Sequence, residues 1–463
     1  MTIPSIIEAK QEVEHQNYSK AEQIYNEILN IDITKLDSYS RSKTEKLVEQ
    51  QENSIIGLSE IFFIQEDEIK LSNLIKKSFE IMRGSFAKSK TAKIIKHLLD
   101  TIEKSYKWKK FQDNSLNLKE NSIDLSINLT KDCIEWSTQE NRIFLKQSLQ
   151  IRLALLYYNK NNFNESLKII NPLISEFKKL DDKSSLVDVQ LLESKNYFQL
   201  KNNAKSRASL TSARTSANSI YCPSSVQAEL DLMSGILNAQ DKDFKTAYSY
   251  FYEAFENYQL HEVKGNLTKI EGKKEKQEKQ DEEDGKSIKV LKYMILCKIM
   301  IGQIDDINSL LKQKACQPFI NKKEIEAMKS VSKSYNNRSL KDLEDSLKFY
   351  NKELTLDPII RSHLSDLYDS LFQKNLLKLI EPYSCIEINH VCSMIGLPKD
   401  VIESKLSNMI LDKIFYGVLD QGNGWLIVYD EPVKDESYNF SLEIIKEMST
   451  AVDLLYEKAS SLD

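Results

Sequence analysis

Three breaks in an otherwise helical pattern fall at a fixed interval, and few architectures tolerate an interval of that length. Residues 140–159 place Leu145, Leu149, Leu153 and Leu156 at helical spacing, the pattern breaks over Asn159–Asn162, and it resumes at Phe163 as FNESLKIINPLISEFKKL. This reads as a helix hairpin. The same order returns around breaks at Lys201–Asn203 and Asp241–Asp243, which puts Ala204 and then Phe244 in the place of Phe163, at spacings of 41 and 40 residues. One hairpin could arise by chance; three in register are stacked helix pairs, each burying its apolar face against the next. In the third, Ala247, Phe251 and Ala254 reproduce the Ala-x3-Phe-x2-Ala pattern of a tetratricopeptide second helix, whose small residues let helices approach while the ring fills the groove. Tyr18, Ala21, Tyr25 and Ile28 form a weaker copy near the N-terminus, and the Lys-, Asn- and Ser-rich residues 31–130 read as helical without defined repeat boundaries.

Turn chemistry is scarce. With 11 Gly and 8 Pro in 463 residues, the chain lacks the turn residues that a β-sandwich, barrel or doubly wound sheet needs at its junctions, and so little Pro also disfavours disorder. A content of 41% hydrophobic and 29% charged residues suits packed helices with solvated outer faces. The net charge of −5 is too small to imply a polyanion partner. Six cysteines without CxxC spacing, and an N-terminus without a charged region followed by an apolar run, point to reduced thiols in the cytoplasm and nucleus. No stretch approaches the ~20 apolar residues that span a bilayer, so no membrane partner is expected.

Beyond the solenoid of residues 1–260 the pattern changes. Residues 262–287 carry seven Lys against eight acidic residues and are expected to be a disordered insertion, either a charged docking arm or a tolerated surface loop. Residues 288–356 return to helical repeats, with LKYMILCKIM at 291–300 apolar nearly all round and hence buried. Over 357–432 the order is a long helix opening at Pro358, an extended YSCIEI, helices INHVCSMIG and LPKDVIESKLSNMILDK, and strands FYGVLDQ and WLIVYD joined by Gly422, Asn423 and Gly424. That is the winged-helix order. A last helix within 436–463 sets Ile445, Met448, Val452, Leu455 and Ala459 at alternating spacings of three and four, a seam that wants a partner helix. With no obvious internal mate it is expected to serve assembly rather than fold back.

Catalytic signatures are missing from the sequence. The five His form no HxH or HExxH, and GxxxxGK[ST], GxGxxG and GxSxG are absent, so neither an enzyme nor a cofactor is expected. Cys385, His390 and Cys392 lie close together, but a fourth ligand at zinc-site spacing is lacking. Gly396–Pro432 holds Lys399, Lys405 and Lys413 against six acidic residues. A recognition helix and wing of that charge would be repelled by a phosphate backbone, so the winged helix is expected to meet protein rather than nucleic acid.

A helical-repeat array ending in a winged helix resembles the PCI family, named for the proteasome lid, the signalosome and a translation initiation factor. The segments VQLLESKNYFQL, LTSARTSANSIYCP, KTAYSYFYEAFENY and LSNMILDKIFYGVLDQGNGWLIVYDEP are similar to members from the proteasome lid; the signalosome branch is the nearest alternative. The resemblance implies an all-α chain: a right-handed, tetratricopeptide-like solenoid, a winged-helix (PCI) module and a C-terminal bundle helix. It also implies a non-catalytic scaffold, which joins other lid PCI subunits through winged helices and a helical bundle, holds the lid deubiquitinase, and clamps the lid to an ATPase ring subunit and a core-particle α-subunit. No homo-oligomer is implied. On this reading Ile445, Met448, Val452 and Leu455 belong to the bundle, and Ile386, Ile388, Leu419, Trp425 and Ile427 are winged-helix strand residues, some of which fill its own core while others meet a neighbour.

Overall fold

The computed structural model describes residues 9–30 (except 10, 14 and 16), 41–65, 67–82, 88–112, 116–268, 273–355, 357–396, 398–430 and 436–460. Helices dominate: α1 (Tyr18–Leu29), α2 (Arg41–Ile64), α3 (Glu68–Met82), α4 (Lys88–Gln112), α5 (Leu116–Gln139), α6 (Ile143–Asn159), α7 (Phe163–Leu180), α8 (Lys183–Gln199), α9 (Asn203–Asn218), α10 (Ser224–Gln240), α11 (Phe244–Thr268), α12 (Lys273–Ile301), α13 (Asp305–Leu311), α14 (Lys323–Asn337), α15 (Leu340–Phe349), α16 (Asn351–Thr355) and α17 (Pro358–Ile380). There follow β1 (Cys385–Glu387), α18 (Ile388–Ile395), α19 (Lys399–Leu411), β2 (Tyr416–Asp420), β3 (Trp425–Tyr429) and α20 (Glu436–Ser460).

The chain divides into two compact units, one of residues 1–241 and 253–269, the other of residues 242–252 and 270–463. In the first, each helix packs chiefly on its sequence neighbours, as stacked repeats require. The period is written into the hydrogen bonds. Ser166 Oγ donates to the Ala154 carbonyl at 2.9 Å, and forty residues later Ser206 Oγ donates to the Ser194 carbonyl at 2.9 Å. Each hydroxyl satisfies a buried carbonyl while keeping two helices close, a place where a larger side chain would hold them apart. Around the first of these bonds Ala154, Ile170, Leu173, Phe177, Leu186, Val189 and Leu192 form a continuous core.

How so many helix hairpins turn with so little glycine has a specific answer. Left-handed residues recur at Asn141, Asn161, Asp181 and Lys201, every twenty residues, and again at Lys242. Each ends a helix in the role glycine usually fills. In three cases the next residue caps the following helix: Asp182 accepts from the Ser185 amide, Asn202 from the Lys205 amide and Asp243 from the Thr246 amide, each at 3.3 Å. Lys201 has φ +59°, a conformation that costs a β-carbon-bearing residue energy and glycine almost none. Lys201→Gly is therefore expected to stabilise the first unit by about 0.5–1 kcal/mol, and Asp182→Ala to destabilise it by about 1 kcal/mol. Urea unfolding followed by helical circular dichroism checks both signs.

The charged segment 262–287 is helical wherever it is described: α11 continues through residue 260 to Thr268, and α12 starts at Lys273, ahead of the apolar stretch; residues 269–272 lie outside the described part. Low apolar content does not rule out a helix, since Lys, Glu and Gln are strong helix formers that pair at i,i+4. Further along α12, Leu291, Met294, Ile295 and Ile299 are buried as the sequence pattern requires.

In the second unit β1, β3 and β2 form an antiparallel sheet in that spatial order, with Ile386 opposite Leu426 and Leu419 opposite Leu426. In the same unit α17 carries His363, 4% exposed, edge-on to the Phe244 ring at 6.0 Å, and neither ring nitrogen has a hydrogen-bond partner. Burial holds its pKa below the usual histidine value, against the opposing pull of the Asp366 carboxylate. Unfolding exposes an imidazole that titrates near pH 6.5. Below that pH, down to the folded pKa, the unfolded chain binds more protons and stability falls with pH. His363→Leu should flatten this acid sensitivity, read as a smaller loss of urea midpoint between neutral and mildly acidic buffer.

Candidate functional site

Among the described residues no group of three His, Cys, Asp or Glu is placed to hold a metal ion, and no helix is long and apolar enough to cross a membrane. Cys385 is exposed on β1, whereas Cys392 is part-buried on α18. The candidate sites are instead surfaces.

The first is α20. Its side chains from Ser437 to Ser460 are all exposed, although the helix is rich in large apolar residues. Ile445 is 61% exposed, Met448 63%, Val452 62% and Leu455 67%, so the four seam residues share one uncovered face. A second set was not anticipated from the sequence: Tyr438, Phe440, Leu442, Ile444, Leu454 and Tyr456 are also exposed. At 100° per residue the seam and most of these residues together cover an arc of roughly 200°. A two-stranded coiled coil needs only a narrow seam, whereas so broad an apolar arc suits a helix with neighbours on more than one side. A single heptad line finds one contact face; only the full helical projection reveals the second.

The second surface is the sheet, whose register sorts the sequence candidates. Ile386 (5% exposed) and Leu426 (0%) point inward, the part-buried Leu419 lies in the same cross-strand row, and Ile388 at the start of α18 is fully buried. Ile386 and Ile388 thus fill the module's own core, Ile386 because strand alternation turns it from solvent and Ile388 from the first turn of α18. Trp425 and Ile427 belong to the opposite face. There Ile427 aligns with Val418 and Cys385, Trp425 with Asp420 and Glu387, and Tyr429 with Tyr416. Val418, Trp425 and Tyr429 are each about half exposed, which leaves an aromatic and β-branched face uncovered. Val418, Tyr416 and Tyr429 were missed because a five-residue strand does not say which of its faces is inner.

Charge bears on what such a module can meet. On α19, Lys399 pairs with Glu403 at 3.3 Å and Lys405 with Asp369 at 3.6 Å. Two of the three lysines of this segment thus stand beside carboxylates of the same chain, and the segment is acidic overall, which disfavours a nucleic-acid backbone.

Comparison with known proteins gives three family models in chain order: the 26S proteasome regulatory subunit RPN6 N-terminal domain over residues 3–160, the PCI domain over 347–430 and the 26S proteasome subunit RPN6 C-terminal helix domain over 434–460. The chain is 46% identical to the 26S proteasome regulatory subunit RPN6 of Saccharomyces cerevisiae, over all of both sequences. It is 43% identical to a probable 26S proteasome regulatory subunit rpn6 of Schizosaccharomyces pombe, covering 98% of each, and 39% identical to the 26S proteasome non-ATPase regulatory subunit 11 of Dictyostelium discoideum, covering 96% of this chain and 97% of the relative.

Proposed function

Because the chain belongs to the RPN6 family of 26S proteasome regulatory subunits, we propose that it is a non-catalytic scaffold of the proteasome regulatory particle lid, ordering the lid and clamping it to the core particle for ubiquitin-dependent degradation. The observation that carries this reading is α20, a helix of the span matched by the family's C-terminal helix domain, with its apolar side chains in solvent. A lone chain gains nothing from such a helix; a bundle gains roughly 25 cal/mol for every Å² of apolar surface it covers.

Helices of other lid PCI subunits cover α20, and a neighbouring winged helix covers the outer sheet face around Val418, Trp425 and Ile427. The N-terminal repeats reach a core-particle α-subunit and an ATPase ring subunit, and the assembled scaffold holds the lid deubiquitinase in place. Work in the cytoplasm and nucleus fits a chain without a membrane-spanning helix among its described residues. The experiment is native purification of a tagged full-length chain. Co-sedimentation with core-particle peptidase activity is the expected result. Recovery of cullin-deneddylating activity without peptidase would transfer the chain to a signalosome role.

A further inference from the structure

Helices α7, α8 and α9 leave a cavity of about 340 Å³ between them, within the range of small-ligand and peptide sites. Asn171 and Lys178 mark the two ends of its α7 wall, Gln190 and Tyr197 those of its α8 wall, and Lys205 and Ser212 those of its α9 wall. Each pair is seven residues apart, so every wall runs for about 10 Å at 1.5 Å per residue. About three residues of extended chain have that length.

The lining is unbalanced in charge. Lys178 and Lys205 both reach the cavity, and the one carboxylate there is Glu193. Burial raises the Glu193 pKa, with Lys178 opposing the rise through its field. Neither lysine closes an ion pair within 4 Å among the described residues, and the Lys205 ammonium rests 5.6 Å from the Tyr197 ring centroid. Other cations of this unit have found carboxylates: Arg152 bonds Asp100 and Glu103, and Lys195 bonds Glu229 at 2.7 Å. Around the two spare ammonium groups stand neutral donors, the Asn171 amide, the Ser212 hydroxyl and the buried Gln190 amide, whose Oε1 is anchored by the Ser216 hydroxyl at 3.5 Å. Ala208 leaves the α9 wall low enough for a backbone to approach.

We propose that this groove binds an acidic, extended peptide segment of about three residues, its carboxylates meeting Lys178 and Lys205 and its carbonyls meeting the amide donors. The site shares no residue with α20 or the sheet, so it can fail while the scaffold reading stands.

Fluorescence anisotropy on the full chain tests the proposal, with a fluorescein-labelled GDEDG peptide as probe and GKKKG as its charge-reversed counterpart. Binding of the acidic probe alone is expected. Lys178→Glu with Lys205→Glu should weaken it by at least ~10-fold, and Glu193→Gln should tighten it by about 3-fold by removing a like charge. Both lysines are exposed, so the thermal melt should not move; if the reversed pair does not fold, Lys178→Gln with Lys205→Gln decides. Equal binding of GKKKG, undiminished binding by the reversed pair, or complete displacement of the probe by millimolar inorganic phosphate would each overturn the proposal, the last by revealing a simple anion site.

Discussion

A chain carrying Val452→Asp and Leu455→Asp folds as the parent does and fails to enter the lid. Both side chains are more than 60% exposed, so the substitutions remove no intramolecular contact, and the melting temperature should stay within the error of the measurement. In a helical bundle the same positions are covered. Burying an unpaired carboxylate there costs several kcal/mol or forces the group to take up a proton, so two of them should weaken incorporation on the order of 1,000-fold or more. The readout is core-particle peptidase activity recovered with the tagged variant. Ile444→Asp separates a bundle from a simple pair: a two-stranded seam through Ile445, Met448, Val452 and Leu455 leaves Ile444 near its edge, whereas a broad bundle contact covers it. Full activity recovered with the double variant would remove α20 from assembly altogether.

Why α20 could be read from sequence and the sheet could not is a matter of period. Ile445, Met448, Val452 and Leu455 repeat over several turns, and a repeat that long admits one placement. The hairpins at Phe163, Ala204 and Phe244 were legible for the same reason, and the breaks between them coincide with the observed helix ends. The strands run for only three to five residues, so Ile386 and Ile427 look alike until the pairing with Leu426 and Val418 assigns them to opposite faces. Gly417 shows what such a sequence hides. A β-carbon built there would lie 2.6 Å from the Ile427 carbonyl oxygen, so the hairpin depends on this glycine through backbone approach rather than through turn chemistry. In residues 262–287 the described backbone is helical, because charge opposes packing in a core but not helical hydrogen bonding. The polar cavity between α7, α8 and α9 has no sequence signal: its lining comes from three helices, each contributing residues that read singly as ordinary solvent-facing positions.

The largest stability effect is expected at Asp357. This residue sits at the N-cap position of α17, just before Pro358, where a negative charge also favours the helix dipole. Its carboxylate accepts from the Tyr293 hydroxyl at 3.2 Å and pairs with Lys289 at 3.2 Å and Lys292 at 3.5 Å. Lys292 is only 7% exposed and reaches Glu324 on α14 at 2.7 Å. One side chain thereby ties α12, within the closing helical repeats, to the first helix of the winged module. Desolvation, reinforced by the Asp357 charge and the hydrogen bond, pushes the Tyr293 pKa far above the usual tyrosine value, so the phenol stays a donor throughout the working pH range. Asp357→Ala leaves a buried hydroxyl unpaired and a nearly buried ammonium with one partner. That should cost about 3 kcal/mol, whereas Tyr293→Phe, which removes donor and need together, should cost about 1 kcal/mol. Lys292→Met combined with Asp357→Leu and Tyr293→Phe should recover much of the loss, since apolar groups of similar volume can replace a buried ion pair and its hydrogen bond at little net cost. Hydrogen exchange on α17 reports the local stability directly. A cost below about 0.5 kcal/mol for Asp357→Ala, the range of an ordinary surface substitution, would mean that the winged module is held to the repeats by apolar packing alone.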